Sequence, residues 1–316
     1  MSDIDDTRAR YERFAASEAP GRSEVYAEWA AGVAGDDDIL EILAQLPSPH
    51  RQPPVVFAVT RMLGSGEGSY AEWADFVRSH AEQVVTECAA RSTQTNEPLR
   101  CAPLLLALSQ IRGPIALIEI GASAGLCLYP DHYAYRFGAR PQLGAGDVVL
   151  TSEIHGDIDV PTRLPEIVWR AGIDIQPRDA RDPKDRAWIS GLVWPGETER
   201  ARRIDAALDI VAIDPPTMIA GDASAPGVLA DLVSRAPKDA TVVITTPGVL
   251  PHIPREQRTR LIETIRDLPA RWITIDHSSL HDAWDPAPER EAGFLLALDA
   301  RPLAEVDPLG GWIRAL

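Results

Sequence analysis

The chain has 316 residues, 45% hydrophobic and 25% charged, with a formal net charge of −16, which is ordinary material for one large globular domain or two moderate ones. No stretch approaches the ~18 uninterrupted apolar residues of a membrane helix, and the acidic opening MSDIDDTRAR lacks the apolar run of a secretory signal. The excess of carboxylates opposes the phosphate neutralisation that nucleic-acid binding requires, so a small molecule is the expected substrate, with neither nucleic acid nor membrane as partner. Cys88, Cys101 and Cys127 are odd in number and lack CxxC spacing. A disulfide framework or zinc site is not expected, and a reduced cytoplasmic setting fits. A homodimer is compatible with the chain.

Residues from about 3 to 112 read as helical. Tyr11, Phe14 and Ala15 follow a helical period, and Ser23 precedes a helix carrying Val25, Tyr26, Trp29 and Val33. Asp36 to Asp38 open another that Pro47 closes, and Pro53 and Pro54 open a third. From Gly113 the texture changes. Short β-branched runs at 115–120, 148–154, 167–170, 241–246 and 272–276 alternate with helical or polar stretches. That alternation predicts an α/β fold with a largely parallel sheet. Residues 293–300 and 312–316 are expected to close it as an antiparallel pair. The expected domains are a helical cap over 1–112 and a Rossmann-like domain over 113–316.

The stretch IALIEIGASAGL, Ile115 to Leu126, carries the functional reading. A strand stops at Glu119, and Gly121 and Gly125 follow with Ala122 and Ser123 among the small residues between them. On a nucleotide-type reading, Gly121 permits a tight turn and the helix from about Ala124 points N–H donors at a ligand. Asp174 is then spaced to bind ribose hydroxyls, and Asp222, beside Ala223, to accept from an adenine amino group. Thr246 ends the next central strand. The same letters also read as Gly121-x-Ser123-x-Gly125, a nucleophile elbow, with Asp222 and either His252 or His277 following in triad order. Against that reading, the preceding region is helical and no HGGG-type oxyanion segment lies upstream.

The motif from Glu119 to Gly125 resembles that of class I S-adenosylmethionine-dependent methyltransferases, with Ser123 where a middle glycine is usual. The resemblance implies a Rossmann-like, mostly parallel sheet of that type. It also implies S-adenosylmethionine as cofactor, with Glu119 and the glycine turn positioning its methionine part. Over nearly its full length the chain also resembles an actinobacterial domain-of-unknown-function family, through RQPPVVFA (51–58), RSTQTNEPLRCA (91–102), EIGASAGLCLYPDHYAYRFG (119–138), VWP (193–195) and GDA (221–223). That family implies no reaction.

Gln94, Asn96 and Glu97, in a densely polar run between helices, are expected to meet substrate, together with Tyr26 from the cap. The alternative is a helix cap at Thr95 or Asn96. His252, in the loop after Thr246, is the first candidate general base, with His277 and His281 as alternatives. Asp214-Pro215-Pro216 reads as a helix-stopping turn, and His155, Asp157 and Asp159 read as a turn rather than a metal site. One of Trp188 and Trp194 is placed at a pocket wall. The expected activity is methyl transfer from S-adenosylmethionine to an oxygen or nitrogen of a small molecule. The alternatives are a serine hydrolase built on Ser123 and a non-catalytic cofactor-binding protein of the same fold.

Overall fold

The computed structural model describes residues 3–280 and 293–316. Seven α-helices precede the first strand among these residues: α1 (Asp3–Arg13), α2 (Glu24–Ala34), α3 (Asp37–Ala44), α4 (Pro53–Leu63), α5 (Tyr70–Ser79), α6 (Ala81–Ala89) and α7 (Cys101–Leu108). Their starts follow local chemistry. Ser23 and Asp36 accept the Tyr26 and Ile39 amides as N-caps, and Ser69 forms a reciprocal capping box with Glu72. Pro53 and Pro54 open α4, whose last carbonyls are closed by Gly64 in the left-handed region at φ +105°.

The strands are β1 (Ile115–Ile120), β2 (Ala134–Phe137), β3 (Val149–His155), β4 (Ile167–Asp174), β5 (Thr217–Ala220), β6 (Thr241–Pro247), β7 (Arg271–Asp276), β8 (Phe294–Leu298), β9 (Arg301–Val306) and β10 (Trp312–Arg314). Helices α8 (Pro183–Gly191) and α9 (Thr198–Ile213) lie between β4 and β5, α10 (Val228–Ser234) follows β5, and α11 (Arg255–Asp267) follows β6. The sheet order is β2-β3-β10-β9-β8-β7-β6-β1-β4-β5. Strands β5, β4, β1, β6 and β7 are mutually parallel, whereas β7, β8, β9 and β10 alternate in direction. The expected tail pair is corrected here. Residues 293–300 and 312–316 do not pair with each other, because β9 lies between their strands and bonds to both. Pro302 hides β9 in the sequence: it removes a ladder donor, and the register slips beside it between Leu296 and Ala297.

The chain divides into two compact units, Met1–Thr95 with Arg181–Asp205, and Asn96–Ala180 with Ala206–Leu316. A single cut at 112 does not describe this division. Helix α7 touches β3, β7 and β8 and belongs with the sheet, while 181–205 returns to the helical unit. The helical unit is built round aromatic rings. Phe57 contacts the rings of Tyr11, Phe14, Tyr26, Trp29 and Trp73, and Trp188 and Trp194 are buried in the same core. In the sheet unit, Leu229, Leu232, Leu261 and Ile265 of α10 and α11 cover the face of Ile118, Ile120, Ile244 and Trp272. The alternation along each strand puts Glu119 on the opposite face.

Phe57→Ala removes the ring shared by five aromatic neighbours and is expected to cost about 3–5 kcal/mol. Urea denaturation followed by tryptophan fluorescence measures it. A loss under about 1 kcal/mol would contradict this account of the core.

Candidate functional site

Strand β1 lies at the point where the order of connections reverses. After β1 the chain runs to β2 and β3 at the far edge, returns to β4 and β5 on one side of β1, and then crosses to β6 on the other. In open α/β sheets ligands bind outside the carboxyl ends of strands at such a switch point. The turn after β1 sits there. Gly121 and Gly125 have φ of +75° and +78°, and Ser123, a non-glycine, has φ +49°. Gly121 also has no room for a side chain, because a Cβ there would lie 2.4 Å from Val249 Cγ2.

Every N–H of this turn is spent inside the protein. Gly121 and Ala122 donate to the Ile173 carbonyl at 2.8 and 3.3 Å, and Gly125 to the Ala122 carbonyl at 2.6 Å. Ser123 N–H donates to Asp174 Oδ2 at 2.8 Å, and Ala124 N–H to Asn96 Oδ1 at 3.1 Å. The Asn96 amide donates in turn to Ser123 Oγ at 3.0 Å. Because the Ala124 N–H can only donate, it fixes which way the Asn96 carboxamide faces. The expected helix from Ala124 is absent. Only a 3-10 turn, Leu126–Leu128, follows. Pro130 bars helical continuation, and the Tyr133 hydroxyl takes the Leu126 carbonyl at 2.7 Å. A helix N-terminus therefore contributes nothing to this site.

The ends of β4 and β5 are different. Asp174 Oδ1 accepts the Gln176 N–H at 2.7 Å, so each carboxylate oxygen holds one backbone donor and keeps a second acceptor direction. Ile175 beside it is 77% exposed, the largest apolar exposure at the carboxyl ends of the strands. The Gly221 N–H bonds to the Asp174 carbonyl at 2.9 Å and draws the β5 end alongside. There Asp222 Oδ1 accepts from the Ser224 amide and hydroxyl, leaving Oδ2 open.

Towards β6 and β7 the site is charged and buried. Glu119 is 4% exposed, and its Oε2 has no hydrogen-bond partner among the described residues. Desolvation pushes its pKa well above the carboxylate range; Cys127 and Asp174 add to the rise and Arg100 opposes it. Asp276, at the end of β7, is fully buried with Oδ1 unpartnered, and burial likewise raises it against the Thr274 hydroxyl, Arg100 and Arg258. Register alternation puts Asp276 and Glu119 on opposite faces. Arg100 acts on both through its charge, its Nη1 donating to the Pro247 carbonyl at 2.9 Å. His252 lies at the surface, yet the protein mass on one side, and then Arg100, lower its pKa below 6.5.

The structure thus gathers Glu119, Gly121, Ala122, Ser123, Gly125, Asn96, Asp174 and Asp222 at one end of the sheet. Other expected residues have different employment. Tyr26 lies in the aromatic core of the helical unit, bonded to Arg61, and Gln94 accepts from Trp188 Nε1 in that unit. Glu97 is 1% exposed and caps the 3-10 turn Pro98–Arg100 through the Leu99 amide, a role expected of Thr95 or Asn96. Thr246 is fully buried and accepts from Trp272 Nε1, while Ala223 packs into the core under α10. Trp188 and Trp194 are buried rather than at a pocket wall. The Ser123 hydroxyl meets an amide instead of an imidazole; His277 pairs with Ser279, and His281 lies outside the described residues. Helix α9 stops at Ile213, as Asp214-Pro215-Pro216 predicts. Among the described residues no group of three or more His, Cys, Asp or Glu could hold a metal. A cleft of about 680 Å³, lined by Leu106, Gln110, Asp157, Asp159, Arg163 and Leu316 among others, shares no residue with the glycine turn. Arg100 and Ile175 escaped the sequence reading. Each sits one or two residues from a residue it did single out, and nothing in a single sequence reports exposure.

The chain belongs to a family described as an uncharacterized protein conserved in bacteria (DUF2332), whose model matches residues 8–314. No curated protein matches the chain.

Two outcomes follow from this geometry. Asn96→Ala leaves the buried Ala124 N–H without a partner and is expected to cost about 1–3 kcal/mol in chemical denaturation; an unchanged midpoint would mean that the turn holds without it. Glu119 and Asp276 keep protons in the folded state that the unfolded chain releases above their ordinary values of 4.5 and 3.8. Their contribution is complete below those values and is lost as pH rises towards the folded pKa. Glu119→Gln is therefore expected to flatten the fall in stability as pH rises above about 4.5. Identical slopes for both proteins would show that Glu119 is not protonated when folded.

Proposed function

We propose that this member of an uncharacterised bacterial family binds S-adenosylmethionine across the carboxyl ends of β1, β4 and β5 and directs methyl transfer to an oxygen or nitrogen of a small molecule. The observation that carries the reading is Ile175, a 77% exposed aliphatic side chain flanked by Asp174 and Asp222 at the ends of adjacent parallel strands beside the switch point. An apolar face between two carboxylates suits a flat heteroaromatic ring that carries an amino group and is joined to a sugar with free hydroxyls.

The residues fit the cofactor in part. The turn after β1 does not serve as an amide cradle, because its donors are spent. The open acceptor directions of Asp174 suit ribose hydroxyls, and Asp222 Oδ2 suits the adenine amino group. Glu119 Oε2, buried and unpartnered, suits a donor from the methionine part. When bound, the cofactor supplies an electrophilic methyl on a sulfonium. The protein then needs chiefly to hold the acceptor in line and exclude water. His252, whose lowered pKa keeps it neutral near pH 7, is suited to take the proton that an alcohol or ammonium acceptor must lose.

Isothermal titration calorimetry with S-adenosylmethionine and S-adenosylhomocysteine tests the reading, with micromolar dissociation constants expected. Ile175→Lys is expected to weaken both by about tenfold or more, from the loss of apolar burial, while leaving thermal stability unchanged. Absence of binding would sink the methyltransferase reading, and fluorophosphonate labelling of Ser123 would then favour the hydrolase. Cofactor binding without turnover across a panel of acceptors would instead leave a non-catalytic binder.

A further inference from the structure

Arg100 carries a guanidinium that the protein fixes in place but does not neutralise. Its Nε–H donates to the Pro308 carbonyl and Nη1 to the Pro247 carbonyl, each at 2.9 Å. Both acceptors are neutral backbone atoms. A guanidinium has five N–H donors, so three, including both on Nη2, remain without a partner among the described residues. Arg100 forms no ion pair among those residues, although the chain has 47 carboxylate side chains against 31 basic ones.

Its seat is shaped by a glycine. Gly248, directly after β6, has φ +74°, and a Cβ there would lie 2.9 Å from Arg100 Nη2. The bare glycine lets the guanidinium lie against the backbone at the switch point. Glu119 and Asp276, two buried acids within electrostatic range of Arg100, form no ion pair with it. They lie on opposite sheet faces, neither touches Arg100, and each has a buried oxygen without a partner. Desolvation favours the neutral form of both. A half-buried, immobilised fork with an open two-donor edge matches the planar, bidentate geometry of a carboxylate.

We infer that the open edge of Arg100, seated against Gly248, is the docking point for a carboxylate of the ligand bound at the β1/β6 switch point. The inference deepens the proposed cofactor site and rests on its location. The carboxylate belongs either to the amino-acid part of the cofactor or to the methyl acceptor.

The test compares wild type, Arg100→Gln and Arg100→Lys in calorimetry and thermal melting. The probes are S-adenosylhomocysteine, 5′-methylthioadenosine (the same nucleoside without the amino-acid part), benzoate and benzamide. If the cofactor supplies the carboxylate, Arg100→Gln weakens S-adenosylhomocysteine by about tenfold or more and leaves 5′-methylthioadenosine unchanged. If the acceptor supplies it, both nucleosides bind Arg100→Gln as they bind wild type, while benzoate, unlike benzamide, stabilises wild type alone. Arg100→Lys, which keeps the charge and loses the fork, is expected to fall between wild type and Arg100→Gln. Failure of both nucleosides to bind wild type would remove the methyltransferase reading, and the benzoate comparison would still decide the role of Arg100. Should Arg100→Gln not fold, phenylglyoxal modification of wild type, mapped by peptide mass, replaces it. Protection of Arg100 by S-adenosylhomocysteine or benzoate is expected. Unaltered affinity in Arg100→Gln for every carboxylate probe, or no protection of Arg100 in wild type, overturns the inference.

Discussion

A carboxamide and a carboxylate hold the turn after β1, and the rest of the site depends on that grip. Asn96 engages Ser123 Oγ and the Ala124 amide with the two ends of one side chain, while Asp174 takes the Ser123 amide. The left-handed backbone at Gly121, Ser123 and Gly125 is affordable because each strained step leaves its N–H with a buried acceptor. The same bonds determine what is left for a ligand. Glycine turns at switch points are usually associated with main-chain donors for anions. In this protein the donors face inward, and the polar groups left open are side chains at the neighbouring strand ends.

The architecture was legible where one local rule dominated. Caps at Ser23 and Asp36, the prolines opening α4 and the β-branched runs of β1, β6 and β7 announce themselves by chemistry that acts within a few residues. Elements shaped by long-range pairing were harder to read. Strand β5 is four residues of edge with no alternation, β2 sits inside a tyrosine-rich loop, and β9 carries a proline. The same division runs through the site. Glu119, Gly121 and Asp174 stood out from spacing alone. Arg100 and Ile175 matter for what surrounds them, or fails to, and only folding creates those surroundings. Tyr26 shows the converse: a polar tip suggested a substrate contact, but its ring is a brick in an aromatic core.

The electrostatic character of the sheet's carboxyl end follows from two acids that burial keeps neutral and one cation that cannot lose its proton. Arginine stays charged in protein interiors, whereas carboxyls escape desolvation by holding a proton. Glu119 and Asp276 take that escape, and Arg100 has none. Arg100 thereby places one fixed cation where the connections of a strongly acidic protein reverse, at the same end of the sheet as Asp174 and Asp222, with His252 close enough to feel it.

Strand β10 reaches far beyond its three residues. It lies between β9, which it meets antiparallel, and β3, which it meets parallel, so it alone joins the β2–β3 flap to the remaining strands. Strand β3 precedes Trp312–Arg314 by more than half the sheet unit, whereas β9 ends at Val306, just before it. During synthesis the β3 edge must therefore stay open until β9 and β10 have been made. The β2–β3 pair thus offers an unsatisfied strand edge through the synthesis of everything from β4 to β9, an opening for wrong partners that only the last strand closes.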